Sequence, residues 1–367
     1  MDFQHGGNVW TADGEKGAVP QKVTDFSANL NPLGPPPGIC GLLRKKIACL
    51  QFYPEPYART FCAACAAKLG VGADQVIAGN GASELISLFF WATRPRRVLI
   101  PAPAYSDYAR AALAAGSEVE FFFSGEDFAF SLETLARQAA LARCDALVLG
   151  SPNNPTGVFW EDLTPLLKEL AVKKLSLLLD ASFLPFTGVA WPAWREQNRF
   201  LSFWQEDVRR NGGGLFIVFS LTKIFAFPGL RLGLGFGPPA LIQKLKGATD
   251  PWSVNTPAQL AGPACLREEA YVQKTVAYVE KERKYLERGL KRIPGLKVFP
   301  SRANFLLVNC RRTGRTGAEI AAALAAKGLL IRDAGNFPGL DEFFFRLAVR
   351  RRSENRYLLR ALAEVLA

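Results

Sequence analysis

LFIVFSLTKIFAFPGLRLGLGFG, residues 215–237, contains two apolar runs joined by an eleven-residue connection that carries Thr222, Lys223 and Arg231. LFIVFS (215–220) and LGLGFG (232–237) are continuously apolar and bounded by Gly and Pro, which reads as strands buried on both faces. Lys223 follows the first run directly, beside Ser220 and Thr222, and Arg231 lies eight residues further on, past a Pro-Gly turn. A lysine after a strand is ordinarily a surface residue. At the mouth of a buried sheet, however, the amine loses water, and desolvation favours its neutral, nucleophilic form. The turn can fold Arg231 back toward the same point, where a guanidinium would grip a phosphate with two parallel hydrogen bonds.

Comparable runs lie outward from this stretch: VIA (76–78), VLI (98–100), EVEFFF (118–123), ALVLG (146–150) and LSLLLD (175–180). With helical patterns between them, the seven runs predict an α/β domain around a mostly parallel, seven-stranded sheet. A long charged helical stretch follows over 268–292. KVFP (297–300), NFLLVN (304–309), a helix near 316–327, LLIRD (329–333), FFFRLAVR (343–350) and a last helix then predict a small α+β domain. Residues 1–40, with NPLGPPPG at 31–38, read as an extended arm and not a helix. The expected organisation is an arm over 1–40 packing with the small domain, a large domain over 41–262 and a small domain over 263–367.

Three more motifs follow predicted strands. Asp180 ends LSLLLD, at the strand edge where open α/β sheets bind ligands. Its carboxylate would either cap the next helix or pair with a protonated pyridine nitrogen, which keeps that ring an electron sink. SPNNPTG (151–157) is a turn by composition, and the Asn154 amide can also donate to a phenolic oxygen. VIAGNGASE leads from a strand through a Gly-rich turn into a helix, so the N–H groups of Gly81, Ala82 and Ser83 would cradle a phosphate. As a lone Gly-rich turn the signal is weak. Tyr105, in PAPAYSDY, is either a rim aromatic or a ring stacked on a cofactor. An electron-sink pyridine bearing a phosphate, a phenolic oxygen and a lysine-reactive carbonyl is pyridoxal 5'-phosphate (PLP).

Composition narrows the alternatives. The chain has 367 residues, 49% hydrophobic and 21% charged, which is ordinary globular usage. No apolar run approaches the ~18 residues of a membrane span, and MDFQHGGNVW lacks the pattern of a signal peptide, so a cytoplasmic protein is expected. Seven widely spread cysteines argue for reduced thiols. Cys62 and Cys65 form a lone CxxC with no second ligand pair and read as small residues on a helix, so no metal is expected. The net charge of +12 comes from scattered residues, Arg350 to Arg352 among them. Without aromatic interleaving or a binding motif these read as solvated faces and not a nucleic-acid surface. A positive field would favour an anionic substrate.

Taken in order, these motifs make the chain resemble the fold-type I PLP enzymes, specifically the aminotransferase class I/II family, over essentially its whole length. The resemblance implies that Lys223 carries the cofactor as a Schiff base, Asp180 partners the pyridine nitrogen, Asn154 donates to O3' and Tyr105 stacks on the ring. Gly81, Ala82, Ser83, Ser220 and Arg231 would form the phosphate cup. Tyr53, in YPEP, resembles the tyrosine that reaches the phosphate of a neighbouring subunit, which implies a homodimer with shared sites. Within the family, HGGN (5–8), DFSANLNPLG (25–34), PWSVN (251–255), SRANFLLV (301–308) and IRDAGNFPGL (331–340) resemble the threonine-phosphate decarboxylase branch more than the histidinol-phosphate aminotransferases. Phe183, where the aminotransferases usually carry Tyr, points the same way, whereas Ala181 departs from the Glu that relatives often carry. The resemblance places His5, Gly7, Asn31, Asn154, Arg332 and Arg346 against a small phosphorylated amino-acid substrate. If Lys223 is the anchor, borohydride reduction of the coloured holoenzyme followed by peptide mapping puts the label on Lys223, and label on another lysine rejects the assignment.

Overall fold

The seven apolar runs form one sheet. In the computed structural model, which describes residues 6–10, 23–200, 202 and 214–367, they are β2 (Val76–Asn80), β3 (Arg97–Ala102), β4 (Glu118–Phe123), β5 (Ala146–Gly150), β6 (Ser176–Asp180), β7 (Leu215–Ser220) and β8 (Leu232–Phe236). Their order is β2-β8-β7-β6-β5-β3-β4, parallel except for β8, which runs antiparallel to both neighbours. The two-residue alternation of a strand sends successive side chains to opposite faces. Leu147, Leu149, Leu177, Leu179, Leu215 and Ile217 enter one apolar layer, and Ala146, Val148, Leu178, Phe216 and Val218 enter the other. Because both faces are covered by helices, these strands are apolar throughout instead of alternating with polar residues. β4 differs from the fully buried strand expected of EVEFFF. It lies at the sheet edge, half its residues face outward, and Phe123 is 61% exposed.

The strand order fixes where a site can form. From β3 the chain moves outward to β4, then returns across β3 to β5 and continues the other way through β6 and β7. This reversal opens a crevice at the C-terminal ends of β3 and β5. Since β8 runs backwards, its first residue meets the last residue of β2 at the same edge, in the register Asn80↔Leu232.

The C-terminal part builds a second sheet, in the order β12-β13-β10-β9, from β9 (Lys297–Val298), β10 (Phe305–Asn309), β12 (Arg332–Asp333) and β13 (Phe344–Ala348). Helices Glu269–Leu290, Gly317–Ala325 and Arg352–Leu366 cover it. The N-terminal segment is threaded into this layer. β1 (Thr24–Asp25) pairs in parallel with β11 (Leu329–Leu330), Phe26 N–H donates to Leu330 O at 2.7 Å, and Phe26 O accepts from Ala348 N–H at 2.8 Å. The Phe26 ring is fully buried with Leu286, Leu306 and Phe345. The arm ends sooner than its prolines suggest, because a helix begins at Pro37. Proline is tolerated in a first helical turn, where its missing N–H has no partner to lose, so PPPG starts this helix instead of preventing it. Phe26→Ala is expected to cost about 3–5 kcal/mol, read as a lower urea midpoint at unchanged slope.

Candidate active site

The crevice is a cavity of about 790 Å³ at the strand ends, closed on one side by the N-terminal segment and on another by β12 and β13. Lys223 enters from the single-turn helix Leu221–Ile224 just after β7. Burial, together with the nearby charges of Arg346 and Arg231, lowers its amine to about 8, against a smaller opposing pull from Asp180. A displacement of that size is worth roughly 3 kcal/mol in favour of the neutral amine.

Asp180, at the end of β6, is 7% exposed. Its Oδ1 accepts from Ser182 N–H at 2.9 Å, and its Oδ2 accepts from the Tyr108 hydroxyl at 2.6 Å. Asp180 does not cap the next helical turn, which begins after Phe183. One oxygen makes a local turn and the other is held in the cavity wall, ready to face a cationic ring nitrogen. Tyr108 was not anticipated. It follows Tyr105 by three residues on the helix Ser106–Ala114, the spacing that places two side chains on one face. The Tyr105 hydroxyl donates to Asp107 at 2.5 Å and lies 3.5 Å from Ser83 Oγ.

The adjacent asparagines of SPNNPTG divide the two roles assigned to that motif. Asn153 is buried and donates to Pro103 O and Thr156 Oγ1, both at 2.9 Å, which holds the turn. Asn154 faces the cavity, and its Oδ1 accepts from the Arg346 guanidinium. That leaves its amide N–H groups to donate elsewhere.

The phosphate cup assembles where β2 and β8 meet. Ala82 and Ser83 open the helix Ala82–Thr93, Ser220 Oγ lies 2.7 Å from Thr222 Oγ1, and Arg231 precedes β8; all five line the cavity. Gly81 lies beneath them in a left-handed conformation (φ +83°), and a Cβ there would collide with the Arg231 guanidinium. A Cβ on Gly233 would strike the Gly81 backbone. The backbone approach needed for an anion cradle is therefore present, with a helix N-terminus behind it. A desolvated amine, a buried carboxylate, an amide donor and an anion cradle along one crevice match the aldehyde, ring nitrogen, phenolic oxygen and phosphate of PLP.

Two cations border the remaining space. Arg332 and Arg346 are paired across β12 and β13. Arg346 also donates to Ser27 O at 2.7 Å, and burial beside Arg332 pushes it down to about 9, so it stays charged at neutral pH. Arg332 donates to Asp333 O at 2.6 Å and Asn336 Oδ1 at 2.7 Å. The N-terminal segment crosses nearby. Gly7 N–H donates to Ser27 Oγ at 2.7 Å, and that hydroxyl donates to Asp25 at 2.6 Å.

Other expected residues lie elsewhere. His5 is outside the described residues. Asn31 does not reach the cavity: its amide donates to Ile224 O at 2.7 Å, Tyr271 Oη at 2.8 Å and Thr275 Oγ1 at 2.9 Å, and its backbone N–H to Lys223 O at 3.0 Å. It fixes the backbone of the lysine segment instead of touching a substrate. Asn29 is the asparagine that lines the cavity, 4% exposed, and its Oδ1 has no partner among the described residues. A tight bend, Leu30 N–H to Ala28 O at 2.9 Å, separates the two asparagines, so strand alternation could not have told them apart. Tyr53 is 84% exposed, away from the cavity, with its ring 5.3 Å from Trp252. Phe183 lies in the cavity wall with its ring 5.0 Å from Phe305, and Ala181 is fully buried in an apolar layer where a longer polar side chain would lose water. Cys62 and Cys65 are buried on the helix Arg59–Leu69 as free thiols. Arg350, counted among solvated arginines, lines the cavity.

Fold and site together define an α/β enzyme with a desolvated lysine at the strand-end crevice. The chain belongs to the aminotransferase class I and II family, whose model matches residues 21–362, and its cofactor is pyridoxal 5'-phosphate. It is 35% identical, over 98% of its length and 93% of the relative's, to a Caldanaerobacter subterraneus subsp. tengcongensis protein provisionally named a threonine-phosphate decarboxylase. It is 33% identical to the threonine-phosphate decarboxylase of Salmonella typhimurium, covering 99% and 96% of the two chains. Among solved structures, the histidinol-phosphate aminotransferase of Clostridium acetobutylicum superposes with a TM-score of 0.82 at 30% identity, over 93% of this chain and 98% of that one.

The lowered amine of Lys223 sets a pH dependence. Below about 8 the amine is mostly protonated and inert, so PLP uptake by apoprotein should slow about tenfold per pH unit as pH falls and level off above. The rate of appearance of the Schiff-base absorbance measures this, and a profile flat from about pH 6 to 9 would contradict it.

Proposed function

We propose that this protein is a PLP-dependent lyase that removes CO₂ from L-threonine O-3-phosphate. The product is (R)-1-amino-2-propanol O-2-phosphate, a building block for cobalamin. The observation that carries the substrate class is the Arg332–Arg346 pair, two cations beyond those needed for the cofactor. Two cations suit an amino acid that bears a second anionic group. The decarboxylase branch is supported by the two relatives above, whose alignments span nearly the whole chain.

PLP supplies the electron sink, a pyridinium ring that takes up the pair left when the carboxylate departs. Lys223 would hold the cofactor, and its Nζ, lowered to about 8 by burial, would carry the proton that replaces CO₂ at Cα. Asp180 keeps the ring nitrogen protonated, and Tyr108 and Ser182 keep Asp180 in place. Tyr105 covers the ring, Asn154 holds the phenolic oxygen, and Gly81, Ala82, Ser83, Ser220 and Arg231 hold the cofactor phosphate. Gly7, Asn29, Asn154, Arg332 and Arg346, with His5, orient the substrate. Binding energy from the side-chain phosphate would then serve to fix the orientation of the Cα–carboxylate bond that breaks.

The working unit in this reading is a cytoplasmic homodimer. Leu50, Phe52, Tyr53, Tyr57 and Trp252 are exposed apolar residues in one part of the fold, suited to a second copy whose cofactor phosphate Tyr53 would reach. No helix among the described residues is long and apolar enough to cross a membrane.

The competing reaction is amino transfer from histidinol phosphate, favoured by the Clostridium structure. Separate incubations decide between them. CO₂ from threonine phosphate is expected, and glutamate from histidinol phosphate plus 2-oxoglutarate without CO₂ from the first would overturn the lyase reading.

A further inference from the structure

Arg350 stands two residues beyond β13, on the side of the extended chain that Arg346 occupies four residues earlier. That spacing separates their Cα atoms by roughly 13 Å, so Arg350 reaches the cavity from its rim. Its backbone is clamped on both sides by the fully buried Asn355, which accepts from Arg350 N–H at 3.0 Å and donates to Arg350 O at 2.7 Å.

The guanidinium is committed at one end only. Nη2 donates to Glu354 at 2.6 Å, while Nε is buried with no partner among the described residues. Glu354 is fixed in turn: its other oxygen accepts from Arg351 N–H at 2.9 Å and caps the helix Arg352–Leu366. The two side chains are 24% and 23% exposed. A pair this far from bulk water is only partly screened, so an incoming anion must compete with Glu354 for the guanidinium. A phosphate, by contrast, offers a guanidinium two or more charge-assisted hydrogen bonds. A rigid backbone, an unspent donor and a single counter-ion in the cavity wall are what an exchangeable anion contact requires.

We infer that Arg350 is a further substrate-recognition residue, taking an oxygen of the substrate's distal anionic group in partial exchange for Glu354. It thereby selects amino acids that carry a second anion over those that do not. This inference rests on reading the cavity as a site for a phosphorylated amino acid.

The test titrates holoenzyme with O-phospho-L-threonine and with L-threonine, following the cofactor absorbance. Inorganic phosphate serves as competitor, and thermal melts check folding. Arg350→Met should weaken O-phospho-L-threonine binding about 10- to 100-fold and L-threonine binding less than about twofold. Arg350→Lys should recover part of the loss, since it restores the charge but not the fork. Glu354→Gln keeps the helix cap, which glutamine also makes, and should tighten binding of both O-phospho-L-threonine and inorganic phosphate. An Arg350→Met protein whose two affinities fall equally, or not at all, overturns the role of Arg350. A Glu354→Gln protein that binds no more tightly overturns the exchange. If the unaltered protein binds both amino acids alike, the phosphorylated-substrate reading fails and takes this inference with it.

Discussion

The reversed course of β8 is the constraint on which the site depends. Were β8 parallel to β7, Arg231 would begin its strand at the opposite edge of the sheet, a strand's length from Lys223. Running antiparallel, β8 starts where β2 and β7 end, and one short turn delivers both the lysine and the arginine to one crevice. The glycines follow from the same geometry. Gly79 and Gly233 face each other across the two strands, and Gly81 lies against the Arg231 guanidinium. Only a chain without side chains at these points lets backbone N–H groups approach an anion so closely.

The cavity concentrates positive charge before any ligand enters. Lys223, Arg231, Arg332, Arg346 and Arg350 share its wall with Asp25, Asp107 and Asp180. The carboxylates offset only part of this charge: Asp180 opposes the lowering of Lys223, and Asp25 that of Arg346. Tyr108 holds Asp180 in place and Ser27 holds Asp25, each through a hydrogen bond from a neutral hydroxyl that leaves the carboxylate charged. Arg346 and Lys223 lie below their usual ranges because burial and like charges act together. An anionic cofactor relieves part of that repulsion, so some of the electrostatic cost of building the site is recovered on binding.

Much of this was legible in the residues. All seven large-sheet strands were marked by apolar runs, because a parallel sheet covered on both faces needs them, and strand-end positions located Tyr105, Asn154, Asp180 and Lys223. What escaped was set by geometry that sequence spacing does not encode. Asn29 and Asn31 have the same composition context, and only the bend at Ala28–Leu30 sends one into the cavity and the other against the lysine segment. Arg350 sits in a run of three arginines that reads as surface, and its neighbours diverge: Arg351 donates to Pro32 O at 2.9 Å, Arg352 pairs with the buried Glu282, and Arg350 alone lines the cavity. β4 had the residues of an interior strand, but its place at the edge came from the order of the others.

The threading of Thr24–Phe26 into the C-terminal layer has a consequence for how the chain is made. Phe26 accepts a hydrogen bond from Ala348, 322 residues later in the chain (348 − 26). At roughly 5–20 residues per second of synthesis, about fifteen to sixty-five seconds pass between the two leaving the ribosome. During that interval the large sheet can collapse on contacts already made, while an apolar residue near the start of the nascent chain waits in solvent for a partner not yet translated. The last step of assembly is then a long-range closure, and it is this step that completes the wall carrying Arg332, Arg346 and Arg350. The cavity is therefore closed only once β13 and Arg350 have joined the layer, well after the strands of the large sheet have been made.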